Sequence, residues 1–191
     1  MSSMLKAPIP EPLVVHMETI DGDRFANVNS HGTHDSVLYA FGVKSALEYM
    51  ALLGRTEYIP GSLGENVTLD ELDETQVSVG DIFQFGEVRV QATFPRIPCA
   101  KVNLRMEHDD GQRLLQEVGR SGVYFRILKP GKIHAHDAVE RVEQAPVKYL
   151  ISEIYSTTVQ RKKLSDIEFE RAMKNGAFPL EEMEKWRSLR V

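Results

Sequence analysis

Apolar residues between positions 13 and 93 come in short runs separated by glycine, a pattern that predicts strands instead of long helices. The clearest unit consists of residues 81–85, the dipeptide Gly86-Glu87 and residues 88–92, which together predict a β-hairpin. Further strands are predicted at residues 123–128, which are β-branched and aromatic, and at residues 137–142. This part of the chain is therefore predicted to be mainly β.

Helical spacing of apolar residues interrupts the β pattern twice, at residues 43–53 and at residues 111–118. After Pro146 the chain changes to a helical pattern with three predicted short helices, and Ser165 and Glu168 have the spacing of a capping box at the start of the second. The resulting prediction is an α+β protein with a β-barrel domain at 1–145 and a three-helix appendage at 146–191. Because so short a tail buries little by itself, we expect it to dock on the barrel, on a second subunit or on another protein.

Composition narrows the function classes. The chain has 191 residues, of which 42% are hydrophobic and 27% charged, as in ordinary globular proteins. A formal net charge of −5 argues against a broad nucleic-acid surface, which needs an excess of lysine and arginine. No apolar stretch approaches the roughly 18 residues of a membrane span, and the first 13 residues lack the apolar centre of a signal peptide. We therefore expect a cytoplasmic protein that binds neither membranes nor nucleic acid.

Cys99 is the single cysteine, so an intrachain disulfide and a thiolate zinc cluster are excluded. Three roles remain: a reactive thiolate, a lone soft metal ligand, or a small buried hydrophobe. Pro95 and Pro98 stiffen the backbone around the thiol, and rigidity suits a metal ligand. Arg96 and Lys101 flank it, and positive charge near a thiol favours the thiolate form.

The proline-rich segment, residues 95–101, follows Gly64-Glu65-Asn66 and then residues 79–81 with the hairpin. The order and spacing of these three segments resemble the signature of the MOSC domain family. Upstream, Gly22-Asp23 and residues 31–35 resemble two more elements of the same family. The resemblance covers about residues 13–145 and is closest in kind to the bacterial subgroup that confers resistance to 6-hydroxylaminopurine. In two places the chain departs from the family pattern, because Thr33 and Ser36 stand where a glycine and a basic residue are usual.

The resemblance implies a β-barrel that binds a pyranopterin molybdenum cofactor, with Cys99 as metal ligand and catalytic residue. Activity would be the reduction of N-hydroxylated compounds such as hydroxylaminopurines. The cofactor phosphate needs positive charge or oriented backbone amides. The candidate cofactor-binding residues are His31, Gly32, Asp35, Gly64, Glu65, Asn66, Arg96, Lys101 and Arg105. The family is also associated with pyridoxal phosphate binding.

A lone cysteine cannot hold an iron–sulfur cluster, so the reductase interpretation requires an external electron-transfer protein; a homodimer is left open. The alternative is a binding module that carries the cofactor, or sulfur as a persulfide on Cys99, without turnover. A third interpretation is an interaction protein with a buried Cys99 and a tail that recruits a partner. A zinc or iron site at His31, His34 and Asp35 is a weaker alternative, and the cluster of His134, His136 and Asp137 is interpreted as a solvated loop.

Overall fold

A computed structural model of the chain describes residues 6–23 and 34–188. The strands are β1 (Leu13–Val15), β2 (Leu38–Gly42), β3 (Val67–Leu69), β4 (Ile82–Phe85), β5 (Val88–Pro95), β6 (Val123–Lys129), β7 (Gly131–Ile133) and β8 (Val139–Glu143). The α-helices are α1 (Val43–Leu52), α2 (Lys101–Met106), α3 (Gly111–Val118), α4 (Ile151–Thr158), α5 (Asp166–Lys174) and α6 (Leu180–Arg187).

Six of the strands form one curled sheet with the order β3-β2-β6-β5-β4-β8, which makes up half of a barrel. Its pairs are antiparallel except for β2 and β3, which are parallel because helix α1 lies on the connection between them. Strands β1 and β7 form a separate antiparallel ribbon. The predicted α+β class, dominated by an irregular barrel-like sheet, is confirmed.

The predicted hairpin is present with the predicted turn. Phe85 pairs with Val88, so Gly86 and Glu87 form a two-residue connection. A side chain at Gly86, which has φ +55°, would collide with the carboxylate of Asp137. On β5, Val88, Val90 and Ala92 are fully buried at alternate positions, as expected for a strand that packs one face on the core.

Helix α3 has the predicted bounds, and α1 ends one residue before the predicted end. Helix α2, which directly follows Cys99, was not predicted. The strand predicted at 137–142 is β8, which begins at Val139, and strand β7 was not predicted because Pro130-Gly131 indicated only a turn.

The tail packs on the sheet of its own chain. Its apolar residues belong to the same buried cluster as the strands; from the tail these are Tyr149, Ile151, Ile154, Leu164, Phe169, Ala172, Ala177, Phe178 and Trp186. Asn175 joins the two parts, because its amide donates to the carbonyl of Val79 at 2.8 Å. The capping box at Ser165 and Glu168 is present at the start of α5. Of the three docking alternatives, the structure favours the barrel surface.

No helix within residues 6–23 and 34–188 is both long and apolar enough to cross a membrane.

Candidate functional site

Cys99 lies on the loop between β5 and α2, and the beginning of this loop is fixed by the segment that leads into β6. The backbone amide of Arg96 donates to the carbonyl of Gly122 at 3.2 Å, while the hydroxyl of Ser121 donates to the carbonyl of Arg96. Gly122 has φ +87°, and a side chain there would come within 2.4 Å of the Ala40 carbonyl oxygen. Only glycine therefore fits this clamp on Arg96.

The end of the loop is held by the helices. The side-chain amide of Gln112, on α3, donates to the carbonyl of Pro98 at 3.0 Å. The carbonyl of Cys99 accepts from the amide of Val102 at 2.9 Å, in the first turn of α2. Cys99 as a residue is partly exposed, on a loop fixed at both ends.

The side chain of Arg96 is buried beside the thiol, with 3% of its surface exposed. Its guanidinium lies 5.7 Å from the ring centroid of Tyr39 and hydrogen-bonds to Tyr124. Burial by itself lowers the pKa of Arg96, but electrostatic interactions with nearby groups, among them the carboxylate of Glu65, outweigh it and raise this pKa above its ordinary value. Burial likewise raises the pKa values of the two tyrosines, which therefore stay protonated. The structure thus places a buried positive charge within electrostatic range of Cys99.

Glu65 is buried, with 2% of its surface exposed, and pins the loop that precedes β3. Its carboxylate accepts hydrogen bonds from the amide of Gly61, the hydroxyl of Tyr58, the amide of Leu63 at 3.1 Å and the hydroxyl of Thr68 at 3.1 Å. All four donors belong to the same segment, which favours a role in holding the loop over a role in proton transfer. The electrostatic influence of Glu65 nevertheless reaches Arg96.

Asn66 connects this loop to β2 and to the N-terminal segment. Its side-chain oxygen accepts from the amide of Tyr39 at 2.9 Å, and its side-chain nitrogen donates to Asp23 at 2.7 Å. Asp23 also forms an ion pair with Lys6 at 2.8 Å, where burial lowers the pKa of Lys6 despite the nearby carboxylate. Asp23 appeared in the sequence only as part of a family motif, and its contacts add it to the candidate site.

Of the remaining candidates, Lys101 is exposed at the start of α2, and the side chain of Arg105 donates to the carbonyl of Ser62 at 3.0 Å. Asp35 forms an ion pair with Arg126 on β6 at 2.8 Å, which holds its carboxylate against the sheet. His31 and Gly32 lie outside the described residues, so their predicted role stays a prediction.

A cavity of about 1200 Å³ opens inside the curled sheet. Phe83, Phe85 and Phe125 contribute to its apolar wall, and Asp23, Glu65 and Asn66 to its polar wall. Eight carboxylate side chains line it against two side chains that are always cationic, Lys6 and Arg141. The described lining of this cavity is therefore acidic, and Cys99 does not belong to it.

Metal-binding alternatives receive no support from the described part of the chain, in which no group of three or more histidine, cysteine, aspartate or glutamate side chains could hold an ion. His134 and His136 are exposed on the turn between β7 and β8, and the amide of His134 donates to Asp137 at 2.7 Å. These contacts agree with the solvated-loop interpretation.

Tyr39, Tyr124 and Gln112 are site residues that the sequence reasoning missed. The tyrosines lie on β2 and β6 among apolar neighbours and resemble ordinary core residues in the sequence. Gln112 follows Gly111 at the start of α3, and no sequence motif marks it as a site residue. Only the strand pairing of β2 with β6 and the packing of α3 beside α2 reveal their proximity to the loop of Cys99.

Comparisons with known proteins concern the family and the fold of the chain. The family model of the MOSC domain matches residues 27–140. The protein YiiM of Escherichia coli is 30% identical over 166 residues, which cover 83% of this chain and 68% of that protein. A protein of Gibberella moniliformis named "Reductase" is 30% identical over 95 residues, but these cover only 17% of its length. Among solved structures, YiiM from Geobacillus stearothermophilus superposes with a TM-score of 0.80 at 24% identity, covering 95% of this chain and 85% of that one, which supports the fold.

Proposed function

Because the chain belongs to the MOSC domain family, we propose that it binds a pyranopterin molybdenum cofactor through the thiolate of Cys99 and reduces N-hydroxylated compounds. Family membership associates the chain with the molybdenum cofactor in general and makes an oxidoreductase the favoured enzyme class. The cofactor on Cys99, the substrate and the electron donor are the parts that we propose.

The residues around the thiol fit such a cofactor. Soft thiolate donors suit molybdenum in a dithiolene, and a single protein sulfur completes a site whose other sulfurs come from the pterin. Cys99 is partly exposed on a clamped loop, and the buried guanidinium of Arg96 favours an anionic ligand beside it. Lys101 and Arg105 follow on α2 and would hold the phosphate of the pterin. This pairing of a partly exposed cysteine with a buried cation is the observation that carries the proposal.

Reduction of an N-hydroxylamine breaks the N–O bond, forms an N–H bond and releases water, so it consumes two electrons and two protons. The bound cofactor would supply the two-electron chemistry, and a separate redox protein would supply the electrons. In this scheme Arg96 offers positive charge to the bound cofactor, the backbone clamps at Arg96 and Pro98 fix the loop that carries Cys99, and Glu65 and Asn66 hold the adjoining loop. Subunit assembly, including a homodimer, stays a prediction, as does the family's association with pyridoxal phosphate.

The second candidate is a carrier that holds the cofactor, or a persulfide on Cys99, without turnover. The partial exposure of the thiol supports it equally well. The interaction-protein interpretation loses its two premises, because Cys99 is not sealed in the core and the apolar face of the tail packs on the same chain.

Molybdenum content and turnover distinguish these functions. The wild type, Cys99→Ala and Cys99→Ser would be purified from a host that makes the cofactor, with Ile97→Ala, an exposed position on the same loop, as the matched control. We expect molybdenum and 6-hydroxylaminopurine reduction, driven by a chemical reductant, in the wild type and the control, and loss of both in the Cys99 variants. Retention of both by Cys99→Ala would refute the thiolate mechanism, while bound molybdenum without turnover in the wild type would establish the carrier.

A further inference from the structure

Glu74 is a buried carboxyl side chain to which the proposed function gives no role. It lies between β3 and β4, with 1% of its surface exposed. One carboxyl oxygen accepts a hydrogen bond from the backbone amide of Gly122 at 2.9 Å, and the other accepts from the hydroxyl of Ser45 at 3.2 Å. We propose that Glu74 is a positioning residue for Cys99, which acts by fixing the backbone that clamps Arg96. The inference rests on the proposed function, because it concerns the loop that carries the proposed metal ligand.

The local fold directs Glu74 into the interior. The carboxylate of Asp73 accepts from the amide and from the hydroxyl of Thr75, at 2.9 and 2.6 Å, which forms a tight turn around Glu74. The segment before this turn is pressed against the start of α1, because a side chain at Gly42 would come within 2.5 Å of the Leu72 carbonyl oxygen. Glu74 thereby reaches the helix that carries its hydroxyl partner.

The peptide group between Ser121 and Gly122 is held at both ends. Its carbonyl oxygen accepts from the hydroxyl of Tyr39 at 2.8 Å. Its N–H donates to Glu74. The groups on either side of this peptide hold Arg96, since the Ser121 hydroxyl donates to the Arg96 carbonyl and the Gly122 carbonyl accepts from the Arg96 amide. Rotation of the peptide plane would displace both of these groups, so Glu74 acts on Arg96 through this peptide.

Removal of the carboxyl group would loosen the first half of the clamped loop. The buried amide of Gly122 would lose its acceptor, and a buried N–H without an acceptor is costly. Rotation of the peptide towards another acceptor relieves this cost, and glycine resists such rotation least because it has no side chain. The start of the loop at Arg96 would then open, while the end at Pro98 would stay held by Gln112.

The test measures the rate at which Cys99 reacts with a disulfide reagent in the full-length chain, purified from a host that does not make the cofactor. Glu74→Leu removes the acceptor and fills its place, whereas Glu74→Gln keeps an oxygen for the Gly122 amide. Tyr39→Phe removes only the hydroxyl at the other end of the peptide. Val88→Ala, at a fully buried position at the hairpin end of β5, is the control that loses stability and leaves the clamp intact.

We expect Glu74→Leu to react about tenfold faster than the wild type, a factor that corresponds to about 1.4 kcal/mol, the worth of one strong hydrogen bond. Tyr39→Phe should react about fivefold faster. Glu74→Gln and Val88→Ala should react at the wild-type rate. All rates should be unchanged by urea below the unfolding transition, as expected for an opening of the loop without global unfolding.

Two results would overturn the positioning role of Glu74. One is an unchanged rate in Glu74→Leu, and the other is a Glu74→Gln that reacts as fast as Glu74→Leu. If Glu74→Leu does not fold, Tyr39→Phe applies the same test to the same peptide group, and an unchanged rate there would overturn the clamp.

Molybdenum retention connects the restraint of the loop with the metal site. In protein from a host that makes the cofactor, Glu74→Leu should lose molybdenum on dialysis faster than Glu74→Gln. Faster reaction of Cys99 together with undiminished retention of molybdenum would show that the restraint does not serve the metal site, which also overturns the inference. Absence of molybdenum from the wild type would instead contradict the proposed function, and the thiol rates would still decide whether Glu74 positions the loop.

Discussion

Replacement of Trp186 by alanine tests whether the helical tail is part of the core. Trp186 is 1% exposed on α6 and packs on Phe178 and Tyr149, with ring centroids 4.7 and 5.9 Å away. Deleting a buried tryptophan side chain typically costs about 3–5 kcal/mol. The indole Nε1 is buried without a hydrogen-bond partner among the described residues, and the variant no longer buries that donor, which returns about 1 kcal/mol or more. We therefore expect a loss of roughly 3 kcal/mol in the free energy of unfolding, near the lower end of that range.

Trp186→Phe separates the two contributions. Phenylalanine keeps most of the apolar contact and lacks the unpaired donor, so its free energy of unfolding should fall within about 1 kcal/mol of the wild type. Urea unfolding followed by circular dichroism is the suitable assay, because Trp186 is the single tryptophan and its replacement removes the fluorescence signal. Ile167→Ala, at a position 81% exposed on α5, is the control and should change the free energy by less than about 0.5 kcal/mol. A loss below about 0.5 kcal/mol for Trp186→Ala would refute docking of the tail on its own sheet.

Three further predictions concern the site and the tail. Burial raises the pKa of Glu74, so the contribution of Glu74 to stability is present below the unfolded value near 4.5 and is lost as the pH rises through the folded pKa. Glu74→Gln should therefore gain stability relative to the wild type between pH 5 and pH 8. A difference in the free energy of unfolding in urea that stays constant over this range would contradict the prediction. Hydrogen bonds from the backbone and side chain of Ser165 lower the pKa of Glu168 to about 2, and the resulting stabilisation is present above pH 4.5 and lost below it. Between pH 5 and pH 2, Ser165→Ala should therefore lose less stability than the wild type in acid unfolding. If the stability of both proteins fell in parallel with pH, the result would count against the cap. Gln112→Leu removes the hydrogen bond to the Pro98 carbonyl, which is worth about 1 kcal/mol, so Cys99 should react with a disulfide reagent about fivefold faster. The control Gln116→Leu, one turn later on the same helix, should leave this rate unchanged. Equal rates for the two variants would show that the hydrogen bond does not restrain the loop.

Elements set by local pattern were predictable from sequence. The hairpin of β4 and β5 follows from alternating residues around Gly86-Glu87, and α3 from apolar spacing over two turns. Helix α2 was missed because it has only six residues, lacks a side-chain cap and follows Pro98. Its position depends on α3, which holds the preceding carbonyl through Gln112. A contact between residues this far apart cannot be read from a short stretch of sequence.

The candidate site shows the same limit. Cys99 and its flanking charges could be named from sequence, since rigidity and charge next to a thiol are local properties. Where each charged side chain lies in the fold depends on contacts between residues that are distant in sequence. Arg96 is buried, whereas the acidic residues of the cavity come from segments between Glu11 and Asp137. A net charge of −5 gives no indication that the carboxylates gather on one wall.

A separation of charge follows from these positions. The loop of Cys99, with Arg96 and Lys101, carries positive charge, while the cavity is lined by carboxylates. Glu65 stands at the boundary, since it lines the cavity and its charge stabilises the guanidinium of Arg96.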